Sequence, residues 1–136
     1  MNDPPRLDAG LLLLRSVFGF RILFGTIDNL VSWKGMLEFA DWLEGYGFPF
    51  PVVCAAVSVY FQFFAGLSWI AGFKVKIFSA FMIVNFLVAI FGVHINGMDP
   101  YLETAPAVHM LAVSIFLLLT GPGKYSIDDR LVRNRS

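Results

Sequence analysis

Six polar side chains sit within or beside the long apolar runs of this sequence: Arg21, Asp28, Gln62, Asn85, His94 and His109. Arginine brings a permanent cation with five N–H donors, while the two amides offer both donors and acceptors. Such a set can hold a group that accepts hydrogen bonds, a carbonyl or an anion. The histidines can exchange a proton near neutral pH or ligate a metal through imidazole nitrogen. Arg15 is a second cation in the first apolar run, close enough to one end to snorkel toward water. Arg21 and Asp28 are seven residues apart. On a helix this places them on one face and about 10 Å apart along the axis, too far for a relaxed direct pair. The plainer readings are Gln62 and Asn85 as interhelical hydrogen-bond glue, the histidines as ordinary interfacial polar groups, and Arg15 as an anchor.

The elements that position these groups follow from the distribution of charge. Hydrophobic residues make up 57% of the 136-residue chain and charged residues only 15%, against about 25% in a soluble domain. No Asp, Glu, Lys or Arg occurs in 45–73, 77–98 or 104–123. Each run is near or above the ~20 residues that cross a hydrocarbon core. With the Leu11–Leu30 segment as another span, the pattern predicts an all-α integral membrane four-helix bundle in one domain, 1–136. The spans fall at about 9–30, 52–73, 75–95 and 105–120, followed by a tail over 121–136. Both termini then share a side with Arg6, Lys74, Lys76, Lys124, Arg130, Arg133 and Arg135. The opposite loops hold Lys34 against Glu38, Asp41, Glu44, Asp99 and Glu103. The positive-inside rule places the termini in the cytoplasm. Omitting the first span would separate Lys74 and Lys76 from the basic tail.

Local signals refine the spans. Asp8 is the expected N-cap of a helix starting at Ala9. Over residues 36–44, apolar and acidic residues alternate at helical spacing, predicting a short amphipathic helix at the outer interface anchored by Trp33, Trp42 and Tyr46. Pro106 suits the first turn of the fourth span. Ser126 with Asp129 three residues on resembles a capping box. By depth, Arg21, Gln62 and Asn85 fall near mid-membrane, and Asp28, His94 and His109 near the outer end. His94 lies nine residues after Asn85, half a helical turn out of phase, so both point inward only if Gly92 distorts the helix.

Several classes are disfavoured. Cys54 is the sole cysteine, which excludes an internal disulfide or dithiol chemistry. GPGKYS lacks the spacing of a phosphate loop. No Ser-His-Asp spacing and no metal-ligand cluster is visible, and the basic tail is too short to argue for nucleic acid. The N-terminus lacks a basic region and a cleavage pattern, so no cleavable signal peptide is expected.

The leucines leading into Arg15 with Gly19 one turn on resemble the DoxX family. So do YGFPFP before the second span, AGLSWIAG at its end, VHINGM after the third, Glu103 before the fourth, and GPGKYSIDDRL. The similarity runs from Arg15 to Leu131, and GPGKYSID is its most specific piece. It implies a four-helix protein of the bacterial inner membrane. Some relatives are linked to redox complexes, including a subunit of a thiosulfate:quinone oxidoreductase. Arg15, Gly19, Gly66, Glu103, Gly121, Pro122 and Gly123 match family positions. Where many members carry a histidine and a lysine in helix one this chain reads Gly25, Thr26 and Asn29, and where many carry glutamate in helix two it has Gln62. These departures weaken an inherited acid/base mechanism. Arg21 and Asp28 are additions to the pattern.

Two functions compete. The first is a quinone- or redox-linked membrane subunit holding a quinone head group among Arg21, Gln62, Asn85 and a histidine; haem ligation by His94 and His109 is disfavoured. The second is a non-catalytic assembly partner of other membrane subunits, or of further copies of the chain, using Arg15, Arg21 and Asp28. A proton or small-solute pathway ranks last, because four helices leave little room for a pore.

Overall fold

A computed structural model describes residues 5–135. Six α-helices and one π-helical segment account for the regular structure, and there is no strand among the described residues. Helix α1 spans Pro5–Val31, α2 Trp33–Glu44, α3 Pro51–Ala71, α4 Val75–Ala89, α5 Tyr101–Thr120 and α6 Ile127–Arg135; the π segment Ile90–Ile95 continues α4. Four helical stretches, Arg6–Val31, Pro51–Ala71, Val75–Ile95 and Tyr101–Thr120, are long and apolar enough to cross a membrane. They form the bundle.

The helix ends depart from the sequence expectation in instructive ways. Asp8 does not cap a helix starting at Ala9. The helix begins earlier, at Pro5, and Asp8 instead accepts a hydrogen bond from the backbone N–H of Lys124 at 3.0 Å. The first span therefore has its end tied to the tail. Helix α2 starts at Trp33 rather than Met36 because Ser32, in extended conformation, accepts from the N–H of Gly35 at 3.3 Å. Its buried stripe, Met36, Ala40 and Leu43, packs on Ala55 and Val59 of α3 and on Val93. The apolar face of this amphipathic helix thus lies against protein. Helix α5 begins at Tyr101, ahead of the expected 105, which leaves Pro106 inside it. A proline there removes one helical donor, close enough to the first turn to be tolerated.

Two contacts set how the spans meet. Gly19 of α1 and Gly66 of α3 face each other so closely that a Cβ on either would lie 2.9 Å from the other's carbonyl oxygen. Without the hydrophobic effect to drive them together, membrane helices gain from such close backbone approach. The main core, including Leu11, Ile22, Trp69, Val75, Met82 and Leu117, ties the four spans together. Trp69 is fully buried and its indole N–H donates to Ser79 Oγ at 3.1 Å.

At the end of the bundle where the termini lie, the loop 121–126 and α6 fold back onto the spans. Asp128 caps α4: its carboxylate accepts from the N–H groups of Lys74 at 2.7 Å and Val75 at 3.1 Å, and its own N–H donates to Gly72 O at 2.9 Å. Ser126 Oγ accepts from the N–H of Asp129 at 3.1 Å, completing one half of the expected capping box. The Asp129 carboxylate turns to Arg133, 2.6 Å away, in place of the reciprocal bond.

Candidate functional site

The other end of the bundle is open. A cavity of about 740 Å³ lies between the spans there, roofed by Phe39, Trp42 and Leu43 of α2 and by Phe48. Its walls are Arg21, Ile22 and Gly25 of α1, Cys54 to Gln62 of α3, Phe81 to Ala89 of α4, Val93 and His94, and Glu103 to Met110 of α5. The volume suits a small-molecule ligand, and the lining is mostly apolar with a few convergent polar groups. Val57, Phe61, Phe81, Val84 and Val88 line it and are also exposed on the bundle surface. The cavity therefore meets the apolar exterior along the α3–α4 side, a route for a lipid-soluble molecule.

Of the six polar residues marked by type and spacing, four converge here: Arg21, Gln62, Asn85 and His94. Asp28 and His109 do not line the cavity; both are exposed, and neither side chain has a hydrogen-bond partner among the described residues. Two histidines facing one space, as haem ligation between them would need, are not present.

The polar groups are arranged to donate. Gln62 Nε2 donates to Ser58 Oγ at 2.9 Å, and Ser58 Oγ donates to Asn85 Oδ1 at 2.8 Å. Ser58 thereby uses its only proton and turns the Asn85 amide so that Nδ2 is left free. Arg21 makes no hydrogen bond or ion pair with any described residue. Its Nη1 lies 3.4 Å from where a Cβ on Gly25 would be, so the guanidinium runs along the α1 surface toward the cavity roof. A glycine at 25 leaves room for that path. Ser58 was absent from the sequence-derived set; its position four residues before Gln62, on the same helix face, was the available signal.

His94 reaches the cavity through the π segment. In an uninterrupted α-helix nine residues carry His94 half a turn away from Asn85. A π turn closes on the fifth residue rather than the fourth, so each residue in it rotates less. Residues Ile90–Ile95 absorb the mismatch, and Gly92 within them lets Phe48 pack so close that a Cβ would lie 2.8 Å from its ring. His94 Nδ1 lies 2.8 Å from Asp99 Oδ2, with both side chains largely buried.

The remaining family-type positions divide between the two ends. Glu103 lines the cavity. Gly121 and Gly123 adopt positive φ (78° and 83°) around Pro122 and turn the chain back toward α1. Arg15, fully buried, donates from Nη1 to the carbonyl of Trp69 at 2.8 Å and from Nη2 to that of Tyr125. It does not snorkel to water; it is the anchor of the plainer reading and closes the terminal end of the bundle.

The family model described as DoxX matches residues 10–95, which covers α1 to the π segment. Arg21, Gln62, Asn85 and His94 lie inside the matched stretch, whereas Glu103 and the GPGKYSID loop lie beyond it. No match was found among curated proteins or among solved structures.

Proposed function

The chain belongs to the DoxX family of multi-pass membrane proteins, and from that premise we propose that its cavity binds the head group of a lipid-soluble quinone, in a redox-linked membrane subunit. The observation that carries this reading is that the unpartnered guanidinium of Arg21, the free Nδ2 of Asn85 and the second N–H of Gln62 belong to residues lining one mostly apolar cavity. A quinone ring presents acceptors only, and an apolar, low-dielectric site strengthens hydrogen bonds to them. Phe61 and Phe81, stacked with centroids 5.0 Å apart at the lateral opening, suit a flat ring entering from the acyl-chain region. What the quinone supplies when bound is two-electron chemistry; the residues named here bind and orient it.

The cellular setting proposed with this reading is the bacterial inner membrane with both termini in the cytoplasm, which the basic residues at the terminal end favour. Partner subunits or further copies of the chain would complete a redox unit. The test is to titrate 2,3-dimethyl-1,4-naphthoquinone into protein in lipid nanodiscs, alongside solvent extraction of the protein as purified. Binding that falls at least tenfold in Arg21→Leu and Asn85→Leu is expected. Protein that carries no quinone and binds none of the added compound overturns the proposal.

A second reading, an assembly partner without a ligand of its own, is favoured by Asp28. Its exposed carboxylate has no partner within the described chain and sits in the last two turns of a span, where it suits a basic group on a neighbouring helix. Co-purification of a second membrane protein that is lost in Asp28→Asn supports this reading, and an unchanged set of co-purifying proteins removes it.

A further inference from the structure

We propose that His94, held by Asp99, senses the protonation and redox state of the cavity's ligand: its neutral ring selects a hydroxyl-bearing head group, and its protonated ring selects the carbonyl form. The inference rests on the quinone reading above and deepens it. A carboxylate can only accept, so the 2.8 Å contact with Asp99 places the proton of neutral His94 on Nδ1. Nε2 is then an acceptor, and it has no partner among the described residues although the ring lines the cavity. The free polar atoms of Arg21 and Asn85 Nδ2 in the cavity wall are donors, while His94 Nε2 and Gln62 Oε1 are neutral acceptors for a ligand hydroxyl. Of these two acceptors only His94 Nε2 becomes a donor on protonation.

One cavity joins the two poles: Arg21, whose guanidinium extends toward Gly25, and His94, one residue from the end of the π segment, both line it. The π segment supplies an independent reason to regard His94 as placed for a task. Such segments are uncommon, are found frequently at functional sites, and here one turns this side chain to the cavity.

The direction of the pH effect follows. Protonation turns Nε2 into a donor. A dihydroxy ligand then loses its acceptor, and a quinone gains a donor. Affinity for the dihydroxy form should fall, and that for the quinone rise, as pH drops through the range in which histidine titrates. Asp99 lies beside His94, and the titratable and charged groups that line the cavity with it are Glu103 from α5, Arg21 from α1 and Cys54 from α3, while α2 contributes Phe39, Trp42 and Leu43.

The experiment uses the full chain in nanodiscs, kept anaerobic, with 2,3-dimethyl-1,4-naphthoquinone and its dihydroxy form as probes between about pH 8 and pH 5. The expected result is a ratio of dihydroxy to quinone affinity that changes about tenfold or more across this range. His94→Phe flattens the ratio. Asp99→Asn, which preserves size, can offer its amide N–H to Nδ1 and so favours the other tautomer; it should shift the preference toward the quinone already at pH 8. Binding of both probes with a ratio that ignores pH, and that is unchanged in both variants, overturns this inference and leaves the quinone site standing. Binding of neither probe overturns both.

Discussion

Two arginines in one helix have opposite roles, and the difference lies in their partners. Arg15 is sealed in protein with two backbone carbonyls on its guanidinium, one from the end of α3 and one from the tail. Removing it strands those carbonyls in an apolar interior, so Arg15→Leu should lower unfolding stability by about 2–3 kcal/mol. Arg21 has no such partner, and a central arginine costs about 2.5–3.5 kcal/mol on insertion scales. Arg21→Leu should leave thermal stability in detergent unchanged or raised while abolishing most ligand binding. Thermal unfolding and probe titration of the two variants check both halves; a strongly destabilised Arg21→Leu would mark that residue as structural. In the sequence the two look alike, a cation within a leucine- and phenylalanine-rich run. What separates them comes from carbonyls 54 and 110 residues away, which no local pattern carries. The convergence of Arg21, Gln62 and Asn85 was legible, because charge-free runs fix depth and depth places all three in one layer. That Asp28 and His109 stay outside was not legible, since depth says nothing about rotation around a helix axis.

At the scale of elements, rotation is the quantity that matters, and glycines and the π segment control it. Gly19 and Gly66 bring α1 and α3 into backbone contact, which holds the wall bearing Arg21 against the wall bearing Ser58 and Gln62. Gly66→Ala would press its new methyl on the Gly19 carbonyl at 2.9 Å and on Leu23 at 2.8 Å. Backbone cannot yield as a side-chain tip does, so a loss of about 1–3 kcal/mol is expected. Thermal unfolding measures it, with Gly10→Ala, which meets open space and gains only helix propensity, as the comparison. Three spans were evident from charge-free runs and the first from the sidedness of the basic loops, and the amphipathic helix from its alternation of apolar and acidic residues. The π segment was not, because regular helix arithmetic is the only rule a single sequence offers for a continuous apolar run. That arithmetic put His94 on the wrong side of its helix, and the one hint was Gly92.

The whole molecule has a closed end and an open end, built from different parts of the chain. At the closed end the tail supplies Tyr125 O to Arg15, receives Asp8 at the Lys124 N–H, and caps α4 through Asp128. At the open end α2 and Phe48 roof a cavity that the tail never touches. If the basic closed end faces the cytoplasm, a cysteine replacing Lys34 should react with a membrane-impermeant maleimide on intact cells, in a Cys54→Ser background. One replacing Lys124 should react only after lysis, and the reverse pattern would invert the topology. The division of labour between the ends makes a further demand. A chain stopped after Gly123 retains every cavity residue but loses the Tyr125 carbonyl and the Asp128 caps, each cap being worth about 1 kcal/mol. It should unfold at a clearly lower temperature yet, below that temperature, bind the naphthoquinone probe within about threefold of the full chain, because sites that share no partners contribute nearly additively. Equal loss of binding and stability would instead mean that the terminal closure holds the α3–α4 walls apart, and that the cavity depends on the tail through the rigid length of the spans.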